Sequence, residues 1–295
     1  MSEIGLHENP LVPNKKLRQL YTAMVEARLL DEHIEGLQRK TKARHRLDST
    51  RGQEACRVST ALELKPGDLV SDAQVGVTMD LLFGAKVGSL LRHIAAVASG
   101  KKERTTLFAE GTGAMRQLPW IDDENDRLKI ALGAALTFKT LKQTNIVVSY
   151  VRLTEISQKL WKQTFALAAK LNLPIIFVVL PDAERTKRPR RSNLCAKARA
   201  AGIPGIPVDM NDAVALYRVA QESIGRTRGG DGPVLIECIP YRPSGLQGEG
   251  ADDPILHMKE FLMRRKICTE LWTDHAGDAF RKKIAAANRS VHEHA

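Results

Sequence analysis

A chain of 295 residues, 43% of them hydrophobic, is long enough to bury one substantial α/β core and too apolar to remain unfolded. No stretch approaches the roughly 18 uninterrupted apolar residues of a membrane span, and residues 1–7 lack the basic-then-apolar order of a secretory signal, so a cytoplasmic chain is expected. The net charge of +11 admits phosphate, nucleic acid or acidic protein as partners, but the basic clusters at 39–46, 185–191, 264–266 and 281–283 carry no interleaved aromatics, and solvated surface is the simpler account.

Cys56, Cys195, Cys238 and Cys268 are widely spaced with no Cys-x-x-Cys pair, which suggests neither zinc nor a disulfide framework and fits a reducing compartment. In chain order, residues 17–40 predict a long amphipathic helix with Leu17, Leu20, Tyr21, Met24, Val25, Leu30, Ile34 and Leu37 inward. A second helix runs from the Gly52-Gln53-Glu54-Ala55 turn to about Leu62, where Lys65-Pro66-Gly67-Asp68 stops it. Residues 69–72 predict a strand and 77–100 a helix rich in small residues, with His93 expected on its surface. Residues 100–126 read as loop, and Leu132-Gly133-Ala134-Ala135 as part of a small-residue helix.

The next stretch organises the chain. Residues 145–151 and 174–182 are short apolar runs of the kind found in strands buried on both faces of a parallel sheet. Residues 156–171 between them predict a helix, with Ile156, Leu160, Thr164, Leu167 and Leu171 on its inward stripe and Thr154 as its N-cap. Strand, helix and strand form a right-handed crossover, and ligands of such sheets gather at the carboxyl ends of the strands. A basic loop over 183–191, a helix over 192–201, a strand ending at Val208, a helix from Ala213 to about Arg226 behind Asn211-Asp212, and a strand over 234–239 follow. Residues 255–288 predict amphipathic helix and 289–295 a frayed tail.

These residues fall in a recognisable order: Leu20-Tyr21, Met24 and Arg28; Gly52-Gln53-Glu54-Ala55; Leu132 to Ala135; Gly202-Ile203-Pro204-Gly205 with Val208-Asp209 and Asn211-Asp212; Gly232 to Glu237; Tyr241-Arg242; Asp252-Asp253-Pro254. From about residue 17 to 255 the chain resembles the alpha subunits of thiamine-diphosphate-dependent 2-oxo acid dehydrogenases, the pyruvate, branched-chain and acetoin enzymes. The resemblance implies an α/β fold, a parallel sheet with helices on both faces of the thiamine-diphosphate-binding type. It divides the chain into an extension over 1–16, that domain over 17–255 and a helical tail over 256–295.

It also implies a cofactor, thiamine diphosphate held through Mg²⁺, and here this sequence departs from the family. Counting back from Leu173-Pro174 puts Arg152-Leu153-Thr154 on the family's Gly-Asp-Gly and Leu180-Pro181-Asp182 on its Glu-Asn-Asn. Leu153 cannot ligate a metal. Asp182, 29 residues on, and the carbonyl of Glu184 are the remaining candidate ligands, few for a cation that prefers near-octahedral oxygen. Arg152, Thr154 and Gln158 are the candidate cofactor contacts. The family's Tyr-Arg and His after the second motif are replaced by Asp72-Ala73-Gln74-Val75-Gly76, which implies loss of the cationic clamp on the diphosphate. The family's final active-site His gives way to Leu246.

Change at all four places implies an alpha-type subunit that is non-catalytic or strongly divergent, structural or regulatory. As partners the resemblance implies a second copy, or a beta-type subunit in an alpha2beta2 heterotetramer, within reach of a lipoyl carrier. Two alternatives stand beside it. One is an active enzyme decarboxylating a 2-oxo acid, with Asp182 and Arg152 holding thiamine diphosphate unconventionally; the other is a binder of nucleic acid or acidic protein through the 185–191 loop.

Overall fold

Five short runs dominated by Val, Ile and Leu line up as one parallel sheet in a computed structural model that describes residues 11–41, 46–74, 76–100, 117–152, 156–181, 193–240 and 253–292. The strands are β1 (Leu69–Ser71), β2 (Val147–Arg152), β3 (Ile175–Leu180), β4 (Gly205–Asp209) and β5 (Val234–Ile239), in the order β1-β2-β3-β5-β4. The register sets Ser149 beside Ser71 and Phe177, and Arg152 beside Leu180. Every residue of β3 is buried, as a central strand with a helical layer on each face requires.

Side chains alternate across the sheet. Ile146, Val148 and Tyr150 join a core with α1 (Asn14–Thr41), α2 (Glu54–Ala61), α8 (Ala213–Arg228) and α9 (Pro254–Arg264). Val147 and Val151 join the opposite core with α5 (Glu124–Thr140), α6 (Gln158–Lys170) and α7 (Leu194–Ala200). The expected α/β architecture is therefore present. A third cluster lies where α1 meets α3 (Thr78–Leu82), α4 (Val87–Ala98) and α11 (Asp278–His292).

The elements depart from the sequence reading in several places, the first being residues 77–100, which form two helices, α3 and α4, with Gly84 at φ +87° between them, rather than one. Helix α6 begins at Gln158, not Ile156, because Ser157 is its N-cap and accepts from the Leu160 amide at 3.2 Å; the expected cap, Thr154, lies outside the described residues. Its inward stripe is Trp161, Thr164, Phe165 and Ala168, while Leu167 is 45% exposed. The aromatics decide this: Trp161, Phe165 and Phe177 form a triangle with ring centroids 5.0 to 6.1 Å apart. The 255–288 segment is three helices rather than one, α9, α10 (Glu270–His275) and α11. Lys266 takes φ +53° in the first break, and in the second a Cβ on Gly277 would lie 2.7 Å from Leu29 Cδ1 on α1. The last helix continues to His292, past the expected start of fraying at Arg289. His93 is buried, at 3% exposure, because α4 packs between α1 and α11.

The shared motifs serve the scaffold. Gly52 adopts φ +82°, which favours glycine, and its amide donates to Glu54 Oε2 at 2.8 Å. Glu54 Oε1 in turn lies 2.5 Å from Arg28 Nε, and the two terminal nitrogens of Arg28 reach Asp253 at 3.0 and 3.2 Å. Asp253 also caps α9 through the Ile255 amide. Three motifs distant in sequence thus meet at one guanidinium that joins α1, α2 and α9. On β4 and α8, Asp209 and Asp212 cap successive amides, so the Val-Asp and Asn-Asp pairs shape the turn into α8.

Candidate functional site

The carboxyl ends of β1 and β2 are where a sheet of this type presents ligands. Beyond Ser71 the chain leaves β1 through Asp72, Ala73 and Gln74, while α2 passes alongside and brings Arg57 into contact with them. Arg57 has no exposed surface. Its Nε donates to Gln53 Oε1 at 3.1 Å, one terminal nitrogen reaches both Asp72 oxygens at 2.8 and 2.7 Å, and the other donates to Gln74 Oε1 at 2.7 Å. Asp72 Oδ1 also accepts from the Gln74 amide at 3.1 Å. The guanidinium carbon lies 5.4 Å from the centroid of the Tyr150 ring on β2. Burial raises the Tyr150 phenol well above its usual pKa, and its hydroxyl pairs with Thr60 Oγ1 at 2.7 Å.

A position-by-position comparison finds no arginine in Asp72-Ala73-Gln74-Val75-Gly76, where the family has Tyr-Arg and then His, and concludes that the cation is gone. In three dimensions a cation is present at this corner, supplied by α2, but each of its nitrogens already has an acceptor within the chain. Sequence reasoning missed Arg57. The available signal was a charged residue amid Ala55, Cys56 and Val58 on an otherwise apolar helix face, with an acid at Asp72 able to pair with it.

Arg152, the last residue of β2, stands at this edge, and its backbone amide donates to Glu124 Oε1 at 3.4 Å. Glu124 pairs with Arg127 at 2.8 Å, and the Arg127 guanidinium lies 3.9 Å above the Trp120 ring. Burial pushes the Glu124 carboxyl above its usual range against the pull of Arg127; it also draws Arg127 below its usual value, although Glu124 opposes this. Gln158 is exposed in the first turn of α6 and accepts from Lys197 Nζ of α7 at 3.0 Å, which makes it a link between helices. Thr154, Asp182 and the Glu184 carbonyl lie outside the described residues, as do Leu153, the 185–191 loop, Tyr241-Arg242 and Leu246.

Among the described residues no three His, Cys, Asp or Glu side chains gather as a metal site would require. The described part of the strand edge does not fit a diphosphate. An arriving anion meets the Asp72 carboxylate, and the guanidinium behind it is enclosed and fully paired. A separate cavity of about 130 Å³ opens at the end of β4, with Asp209, Asn211, His257 and Arg264 in its wall. No membrane-length apolar helix occurs among the described residues.

Residues 21–255 match the family described as dehydrogenase E1 component. The alpha subunit of 3-methyl-2-oxobutanoate dehydrogenase from Mycobacterium tuberculosis is 30% identical over 251 residues, 82% of this chain and 65% of that subunit, so the match spans just under two thirds of that relative's length. The alpha subunit of acetoin:2,6-dichlorophenolindophenol oxidoreductase from Bacillus subtilis is 25% identical over 265 residues, 83% of this chain and 78% of its own. The alpha subunit of the pyruvate dehydrogenase E1 component from Staphylococcus aureus is 28% identical over 282 residues, 88% and 74% respectively.

Proposed function

Since the chain belongs to the dehydrogenase E1 component family, among its alpha-type subunits, we propose that it acts as a non-catalytic or strongly divergent member that supplies scaffold and partner surface without activating the cofactor. The observation carrying this reading is the Arg57 guanidinium, enclosed and paired with Asp72 at the strand edge where the family holds its diphosphate. By contrast, the structural motifs around Arg28, Glu54 and Asp253 are intact. A chain that keeps its framework and fills its anion site from within suits a structural or regulatory role. It pairs with a second copy or with a beta-type subunit in an alpha2beta2 assembly, near a lipoyl carrier. Four free thiols, three of them buried, suit the cytoplasm.

Calorimetric titration with thiamine diphosphate and Mg²⁺ tests the reading. The expected result is no saturable heat; micromolar binding abolished by Asp182→Ala would overturn it. The competing reading, an active enzyme holding the cofactor through Arg152 and Asp182, draws support from the position of Arg152 at the end of β2. That reading requires the binding just described and turnover of a 2-oxo acid. Purification of the native complex identifies the partner.

A further inference from the structure

Buried ion pairs seldom justify themselves by stability, since apolar residues of similar volume often do as well, so the presence of Arg57 under the end of β1 calls for another account. Guanidinium and a main-chain N–H are the donors with which proteins hold carboxylates and phosphates alike. Both converge on Asp72: the Arg57 terminal nitrogen reaches its two oxygens at 2.8 and 2.7 Å, and the Gln74 amide reaches Oδ1 at 3.1 Å. Arg57 has no exposed surface and the Asp72 side chain is 7% exposed, so the pair is enclosed and the carboxylate is its more exposed member. The corner also stands at the carboxyl end of parallel strands, where anionic ligands collect.

We propose that Arg57 and the Gln74 amide form an anion site whose ligand is built into the chain, the Asp72 carboxylate, and that removal of this carboxylate opens the site to a free phosphate-class anion. Asp72 is then an internal stand-in that completes the α2–β1 corner without an added ligand. The idea rests on the reading that the wild-type chain takes up no diphosphate, but a different protein and probe test it.

The variant is Asp72→Ser, full-length, titrated with inorganic pyrophosphate at constant ionic strength and followed by calorimetry and thermal unfolding. The expected result is saturable binding at least about tenfold tighter than in wild type, the size expected for hydrogen bonds to a charged partner. The apolar pair Arg57→Met/Asp72→Leu keeps the volume filled and should show no response. If Asp72→Ser does not fold alone, refolding with pyrophosphate should restore the native far- and near-ultraviolet circular dichroism. A response no larger than that of the apolar pair, failure to refold with the anion, or recovery with formate alone overturns the proposal, the last because the space then admits only a carboxylate. The wild-type titration with thiamine diphosphate and Mg²⁺ decides the functional reading by itself. Binding there together with a pyrophosphate response in Asp72→Ser would sink that reading and leave the internal-ligand inference standing.

Discussion

Replacing Arg28 with methionine tests the scaffold directly, because one guanidinium holds two carboxylates of very different exposure. The Glu54 side chain is 1% exposed, and that of Asp253 is 26%. Removing the cation leaves Glu54 buried with main-chain amides such as that of Gly52 as its remaining donors and no counter-charge, and stranding one member of a buried pair typically costs about 3–5 kcal/mol. The Asp253 arm adds little, about 0–1 kcal/mol after solvent screening, since that carboxylate is partly exposed and keeps its capping bond to α9. The expected loss for Arg28→Met is therefore about 3–5 kcal/mol, dominated by Glu54. In Arg28→Met/Glu54→Met most of it should return, because no buried charge remains. Burial already lifts Glu54 above its unperturbed value of 4.5 with Arg28 opposing, and losing Arg28 lifts it further. A carboxyl with a raised folded-state pKa contributes stability when protonated and loses that contribution as pH rises through the folded value. The single variant should accordingly recover stability as pH falls from neutrality toward 4.5. In the wild-type chain Asp253 is also buried in part, but its bonds to Arg28 hold its pKa low, so the stability that pair contributes fails only at more acid pH; in the variant this contribution is lost with Arg28 and leaves the Glu54 effect to set the pH dependence. Urea unfolding at several pH values reads both effects as midpoint shifts at constant slope. A cost below about 1 kcal/mol, or a double variant no more stable than the single, would refute the reasoning.

The phase of α6 gives two opposed expectations: Phe165→Ala should cost about 3–5 kcal/mol, because it empties the Trp161–Phe165–Phe177 triangle, whereas Leu167→Ala should change stability by less than about 0.5 kcal/mol. Ser157→Ala should cost about 1 kcal/mol in the same urea assay, since Ser157 supplies the cap; a neutral result would place the cap elsewhere. Burial pushes the Cys195 thiol up to about 12, with Glu237 adding to it, so iodoacetamide at pH 8 should leave it unlabelled in the native chain and label it in guanidinium. Because that thiol is raised on folding, its contribution to stability holds below its ordinary value near 9 and fades as pH climbs from 9 toward 12, and Cys195→Ala should flatten this decline.

Strand positions were legible because β2, β3 and β5 are continuous Val- and Ile-rich runs bounded by turn residues, a signal that needs no partner to interpret. The face of α6 was not. Its aliphatic residues suggest one stripe, but Trp161 and Phe165 are larger, and the side that buries the aromatics against Phe177 prevails. The breaks after Arg264 and His275 were hidden for a related reason. A periodic sequence reads as continuous helix until a close approach to another element, here Gly277 against Leu29, interrupts it.

The candidate site shows a sharper limit of the same kind. Reading Asp72-Ala73-Gln74 against a family pattern detects that an arginine has gone from one position, because a motif records which residue stands where along the chain. It cannot detect that Arg57, 17 residues before Gln74, brings a guanidinium to the same corner, because that depends on α2 lying against the end of β1. A cation on the helix behind the strand end has no access to solvent, and a buried cation without a counter-charge is too costly to keep, so Arg57 requires the acid at Asp72. An external anion would then have to displace a covalently tethered carboxylate at very high effective concentration. The altered motif and the enclosed arginine are therefore one feature, and its consequence for ligand binding comes from the pair.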